Sequence, residues 1–209
     1  NKSQIPVGKD KENKAITGFY RQRSHDIIDM DSCLIQDEQH QKIMNHVKQW
    51  LNELNISIYN EKNQSGLMRH LVVRTGYHTD EMMVIFVTNG KKFKNADVLV
   101  QKLISAYPNV TSIKQNINDT HSNVIMGRQS VTLYGKDKIV DQLSEVTFNI
   151  SDQSFYQINS AQTEKLYQQA IDYAQLTGEE IVLDTYCGIG TIGLSVAKHV
   201  KKVLGVEIV

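Results

Sequence analysis

Residues 182–207 read VLDTYCGIGTIGLSVAKHVKKVLGVE, and the order of residue types in this stretch decides the fold of the C-terminal part of the chain. An apolar strand pattern, Ile181 to Leu183, ends on Asp184 and runs into a glycine turn. A helical pattern follows from Thr191 to His199, then a second strand pattern from Val203 to Val206. Strand, crossover helix and strand in this order open a parallel, doubly wound sheet. Gly188, Gly190 and Gly193 fit G-x-G-x-x-G between strand and helix, a fingerprint that is ambiguous alone. Such glycines let a ligand come close to the backbone, whether it carries a pyrophosphate or an amino-acid carboxylate.

Two acidic residues narrow the choice. Asp184 stands directly before the turn, where a carboxylate meets the ammonium of an amino-acid ligand, directly or through water. Glu207 ends the second strand pattern, where a carboxylate accepts both hydroxyls of a ribose. A carboxylate at Asp184 repels the pyrophosphate of NAD and suits the zwitterion of S-adenosylmethionine. The plain structural readings are a turn cap for Asp184 and an exposed strand-end acid for Glu207.

Upstream, FNISDQSFYQINSAQTEKLYQQAIDYAQLTGEE (148–180) holds a helix capped by Asn159 or Ser160, with apolar positions Leu166, Tyr167, Ala170, Ile171 and Ala174. Gly178 is expected to end it as a left-handed C-cap. Before about residue 145 the patterns differ. Asn1 to Lys14 is polar and reads as extended or turn-like, followed by short β-prone pieces at Ile16–Tyr20 and Ile27–Met30. Ile43, Val47, Trp50, Leu51 and Leu54 place one apolar stripe on a helix from Asp37 to Asn55, with Asp37 and Glu38 in its first turn. Met68–Thr75 and Met82–Thr88 read as a hairpin, Asn95–Tyr107 as a helix stopped by Pro108, and Val110–Asn116, Asn123–Met126, Val131–Tyr134 and Val146–Ile150 as further strands. The expected organisation is a central α+β domain with a largely antiparallel sheet over residues 1–145. The N-terminal portion of an α/β Rossmann-like domain follows over residues 146–209.

Composition sets bounds on function. Over 209 residues, 23 basic residues balance 23 acidic ones, so any nucleic-acid surface has to be a local patch. Met82 to Val87 is the longest clean apolar run, far short of the roughly 20 residues a membrane-spanning helix needs. The only cysteines, Cys33 and Cys187, lie far apart, which argues against a disulfide framework and for a reducing cytoplasm. The seven histidines show no zinc-like spacing with thiols or carboxylates. The chain begins with Asn1 and is expected to be a fragment.

The stretches LDTYCGIGTIGLSVAK (183–198) and VLGVE (203–207), together with SFYQINSAQTEKLY (154–167), resemble the RNA uracil-5 methyltransferases, which make 5-methyluridine in 23S ribosomal RNA and in tRNA. ITGFYRQRSHDIIDMDSCLI (16–35) is similar to the central domain of this family, particularly its bacterial ribosomal RNA branch. The resemblance covers nearly the whole chain. It implies an enzyme that moves a methyl group from S-adenosylmethionine to C5 of a uridine, most specifically in 23S rRNA. It also implies a cofactor site made of Gln157, Tyr186, Glu207, Asp184, Gly188 and Gly190, with Phe155 and Asn159 shaping the same corner. Thr191 stands where some relatives carry Asn.

The family's reaction needs a thiolate that adds to C6 of uracil, so that C5 becomes nucleophilic, and a base that removes the C5 proton. Cys187 belongs to the cofactor turn and reads as a buried small thiol. The resemblance places the nucleophile and base C-terminal to Val209, so this chain alone is expected to transfer no methyl group. Many relatives hold a 4Fe–4S cluster through three clustered cysteines and a later one, and Cys33 falls at the later position. One thiolate does not hold such a cluster, so the implied cluster concerns the full-length protein only. Tyr20, Arg21 and Arg23 are the RNA-contact candidates, since Arg forks onto phosphate and stacks on bases. Lys198, Lys201 and Lys202 read as solvated helix-end charges, as do Lys91, Lys92 and Lys94 around Asn89-Gly90. A sheet with two strands and one crossover exposes an edge and a face, so the last 30 or so residues are expected to be poorly protected against amide exchange or to pair with another molecule. A nicotinamide-dependent oxidoreductase and a non-catalytic RNA-binding module are the competing readings.

Overall fold

The computed structural model describes residues 1–208. The chain divides into one unit formed by residues 2–75 and 81–139, and a second that takes residue 1, residues 76–80 and the chain from 140 onward. The turn at 76–80 therefore groups with the glycine-turn unit, which no linear boundary near 145 expresses.

The first unit is built on a seven-stranded sheet. Its elements are β1 (Lys2–Lys9), β2 (Ala15–Tyr20), β3 (Ile27–Asp29), α1 (Glu38–Glu53), β4 (Met68–Thr75), β5 (Met82–Thr88), α2 (Ala96–Ala106), β6 (Val110–Ile117) and β7 (Gln129–Gly135). The order is β3-β2-β1-β4-β5-β6-β7, with β5 and β6 parallel across the α2 crossover. The remaining neighbours are antiparallel. Ile43, Met44, Val47 and Leu51 of α1 and Leu99 and Leu103 of α2 pack on Ile5, Leu71, Val73, Val84 and Phe86 of the sheet. That closed apolar layer is the dominant stabilising term for this unit.

Several expectations are corrected here. The polar opening of the chain is a strand. β1 pairs with β4 over Lys2–Pro6 and with β2 over Val7–Lys9, so the partner changes at Pro6, the one residue of the strand without an N–H to donate. Asp37 is the N-cap of α1 rather than a first-turn residue; its carboxylate accepts from the Gln39 and His40 amides. Residues 123–126 form no strand, because Asn118 Nδ2 donates to the carbonyls of Val124 (2.7 Å) and Ile125 (2.9 Å) and ties the segment back as a loop.

His40 is a satisfied core histidine, with ring nitrogens bonded to Ser3 Oγ (2.9 Å) and Thr75 Oγ1 (2.6 Å). Burial drives its pKa down to about 4, so the ring is neutral near pH 7.

The second unit contains the hairpin β8 (Ile139–Leu143) and β9 (Val146–Ile150), then α3 (Ser160–Ala174), β10 (Ile181–Asp184), α4 (Thr191–Val196), a 3₁₀ turn (Ala197–His199) and β11 (Lys202–Gly205). β8 was not foreseen from its short polar-apolar alternation. It meets β9 through Ser144, which adopts a left-handed conformation. α3 ends on left-handed Gln175 rather than at Gly178. The Glu180 carboxylate takes over the following turn, accepting from the Thr177 amide and hydroxyl and from the Gly178 amide. Those bonds, the Thr177 side chain first, hold the Glu180 carboxyl down to about 2. β10 and β11 are parallel, with Asp184 opposite Gly205. Although its pattern is apolar, β10 is not buried: Leu183 is 58% exposed.

Candidate functional site

The site forms where β10 ends. The Val206 amide donates to the Asp184 carbonyl (2.8 Å) and the Cys187 amide donates to the Val206 carbonyl (3.2 Å), which folds the turn across the end of β11. Gly188 and Gly190 both have positive φ, at 54° and 84°, conformations that L side chains rarely adopt. A Cβ on Gly188 would meet nothing within 4 Å, so the turn presents open backbone there. Gly193 serves packing instead: a Cβ would lie 3.1 Å from Val203 Cγ1 and 3.2 Å from Asp184 Oδ2. The helix therefore sits directly against the strand and the acid.

The two acids converge on this turn in different states. Glu207 lies two residues beyond β11 rather than at its last position. Its carboxylate accepts from the Gly188 amide at 2.9 Å and from the Ile208 amide at 2.8 Å. Asp184 Oδ2 is buried and has no hydrogen-bond partner. A buried acceptor left in that condition costs free energy unless a donor arrives. An ammonium group or a water would supply one.

The approach to α3 supplies the other expected residues. Tyr156 is buried, with its ring 6.1 Å from Phe148. Burial first, and the Asp141 carboxylate second, push its hydroxyl well above the ordinary tyrosine value. This anchor was not singled out in the sequence, although it lies inside F-x-Q-x-N and holds that segment down. Phe155 stands 73% exposed, so it is not ordinary core, and Gln157 is half-buried. Asn159 is the N-cap of α3, its side chain accepting from the Gln162 amide at 3.1 Å. Tyr167 Oη lies 3.1 Å from Thr191 Oγ1 in a buried contact that ties α3 to the first residue of α4. Thr191 therefore has a structural partner. Tyr186 is 91% exposed beside the turn, free to lie along a ligand.

Cys187 is half-buried rather than buried, its sulfur packed against the Cα side of Gly205. Cys33 is also half-buried. Among the described residues no group of three or more His, Cys, Asp or Glu is placed to hold a metal ion. The single thiolate of Cys33 does not by itself fit a 4Fe–4S cluster. The structure thus gathers Asp184, Gly188, Gly190 and Glu207 around one turn, with Tyr186 on it and Gln157 on the segment entering α3. Tyr20, Arg21 and Arg23 lie in the first unit, at the end of β2 and just beyond it. Lys198 pairs with Glu145, and Lys201 stands 3.7 Å from Glu179, as surface ion pairs. No helix among the described residues is long and apolar enough to cross a membrane.

Comparison with known proteins bears on what this turn serves. The chain is 78% identical over its full length to an uncharacterised RNA methyltransferase of Staphylococcus epidermidis and 74% identical to one of Staphylococcus aureus. It spans 46% of the length of each. Its fold matches the Pyrococcus abyssi tRNA (uracil-54, C5)-methyltransferase solved with S-adenosyl-L-homocysteine, with a TM-score of 0.79 and 28% identity over 99% of this chain and 48% of that one. The profile of the tRNA (uracil-5-)-methyltransferases matches residues 7–209. The fold is that of a partial methyltransferase, and the chain belongs to the RNA uracil-5 methyltransferase family.

Proposed function

We propose that the full-length protein transfers a methyl group from S-adenosylmethionine to C5 of a uridine in 23S rRNA, and that this chain supplies the donor's pocket. The observation that carries the reading is the orphaned, buried Oδ2 of Asp184 beside a glycine turn with open space at Gly188. Asp184 holds the ammonium end of the donor, directly or through water. Glu207 accepts from the ribose hydroxyls, Tyr186 lies along the adenosine, and Gln157 closes the same corner. Gly188 and Gly190 keep side chains out of the approach. When bound, S-adenosylmethionine supplies an electrophilic methyl group on its sulfonium.

Uracil C5 becomes nucleophilic only after a thiolate adds at C6. Cys187 is not suited to that task, because its amide is bonded to β11's continuation and its sulfur packs on Gly205. The nucleophile and the base that removes the C5 proton belong to parts of the full-length protein outside this chain. The ribosomal substrate is favoured by the central stretch 16–35. A tRNA substrate is the second reading, favoured by the named activity of the Pyrococcus abyssi relative.

The test maps 5-methyluridine by mass spectrometry in rRNA and tRNA from cells lacking the full-length gene. Loss of one modified uridine in 23S rRNA is the expected result. Loss in tRNA instead moves the substrate to the second reading, and an unchanged pattern in both refutes the proposal. In the full-length protein, Asp184→Asn and Glu207→Gln should each weaken S-adenosylhomocysteine binding by about 10-fold or more, since hydrogen bonds to charged groups contribute about 1.5–3 kcal/mol.

A further inference from the structure

The first unit holds a cavity of about 190 Å³, with a mixed polar and apolar lining, that the cofactor site does not use. Beside it β4 carries a register shift between Met68 and His70, so that Arg69 and His70 are not in simple alternation. Bulges re-aim side chains and are enriched near functional sites. Both residues line the cavity and both are buried, at 6% and 8% exposure. Arg69 Nη1 donates to the carbonyls of Asn118 (2.7 Å) and Thr120 (2.8 Å), and its guanidinium lies 4.4 Å from the Tyr59 ring centroid. Arg69 Nε and His70 Nδ1 are left buried with no partner. Both residues border the cavity, and each keeps one buried polar atom without a protein partner.

The rest of the lining states what kind of ligand. Tyr20 and His25 stack with centroids 5.1 Å apart at 25°, and His25 Nδ1 lies 2.6 Å from Glu61 Oε2. Arg69 and Lys62 are offset by Glu61 and Asp26, all on the cavity wall. A phosphate would meet carboxylates there, so the charge balance favours a neutral, planar group. His70 is itself neutral near pH 7, since burial and then Arg69 bring its pKa down to about 4. The cavity lies below the roughly 300 Å³ of a drug-sized site, which matches one ring system. It shares His25, Tyr59, Glu61 and Arg69 with a second recess of about 270 Å³ that reaches His121 and Asn123, room for the sugar and neighbouring chain.

We propose that this cavity is a second nucleobase site, which takes one amino-bearing base of the RNA, distinct from the methylated uridine, with its edge on Glu61 and Arg69 and its face on Tyr20. This rests on the reading that the protein acts on RNA. A carboxylate accepts an exocyclic amine of cytosine, adenine or guanine. The N3–H of uracil lies between two carbonyl oxygens that a carboxylate repels, so uracil is the disfavoured base.

The test uses the full-length protein and labelled single-stranded hexamers rA6, rC6, rU6 and an abasic ribophosphate strand, followed by fluorescence anisotropy. The wild type should bind rA6 and rC6 more tightly than rU6 and the abasic strand. Tyr20→Ala should weaken rA6 and rC6 binding by about 5- to 100-fold, the range of one lost base stack, and leave abasic binding and its salt dependence unchanged. Tyr20→Phe should restore it. Glu61→Gln should narrow the gap between rC6 and rU6, and this variant decides the matter should Tyr20→Ala not fold. Unchanged affinities in both variants, or equal losses on the abasic strand, would overturn the proposal. Methyl transfer by the wild type is scored separately: its absence with a base-selective Tyr20 effect refutes the enzyme reading and keeps the pocket, and the converse refutes the pocket alone.

Discussion

β4 and β5 in the first unit and β10 and β11 in the second each carry a short run of Val, Ile, Leu or Met, yet they meet different surroundings. Every residue of β5 is buried, whereas Ile181, Leu183 and Leu204 on the parallel pair remain exposed. The first unit gives each of its five inner strands two neighbours and has two helices that close its core. The second sets one short helix against two strands. Apolar composition therefore did not decide burial; the number of partners did. The orphaned Asp184 and the open Gly188 lie at the end of this pair and just beyond it, in a chain that spans 46% of the length of its relatives.

The sharpest way to break this comparison is hydrogen exchange on the isolated chain. Amides of β4 and β5 should exchange roughly a thousandfold or more slower than those of β10 and β11, because a closed core opens only with most of the global stability. Equal protection would show that the two sheets are one cooperative unit. Next comes side-chain truncation. Phe86→Ala, at a fully buried position, should lower stability by about 3–5 kcal/mol, while Leu183→Ala should stay within about 1 kcal/mol. Denaturant midpoints measure both, and a Leu183 effect as large as that of Phe86 would reverse the assignment.

Acid acts on the first unit by way of His40 and His70. Their folded pKa values, brought from 6.5 down to about 4, lie below the unfolded value, so the unfolded chain binds protons first as pH falls. Stability should be flat above about pH 6.5 and should decline from there toward pH 4, by up to about 3 kcal/mol for each histidine. Urea titrations across that window test it, and a flat profile would mean that the two rings are not held neutral in the fold. The smallest effect belongs to Cys187→Ala in the full-length protein. Methyl-transfer turnover should remain within about threefold of wild type, because truncating one half-buried thiol forfeits less than about 1 kcal/mol of contact. Loss of turnover by orders of magnitude would make Cys187 the nucleophile.

Much of the architecture was legible because the local signals were strong. The hairpin Met68–Thr75 and Met82–Thr88 forms with the bounds read from its β-branched runs, and the stripe Ile43, Val47, Trp50, Leu51 packs one face of α1 into the core. The acids and glycines of the turn were legible for the same reason: their spacing is local, and a strand followed by a helix fixes where they stand. Residues 123–126 were misread because a single amide, that of Asn118, outcompetes strand pairing for their carbonyls. The polar opening hid β1, whose burial comes from partners far along the chain.

By itself, then, the sequence determined the strand–turn–helix–strand that holds Asp184 and Glu207, and the helix and hairpin patterns of the first unit, because each depends on neighbours within a few residues. Only the tertiary structure decided that Asp184 Oδ2 is left without a donor, that Tyr156 anchors the segment bearing Phe155 and Gln157, and that Tyr20, His25, Glu61, Arg69 and His70 line one cavity. Those facts depend on which distant groups arrive beside a given atom. Hydrogen bonding and desolvation act over a few ångströms of space, and distance along the chain does not report them.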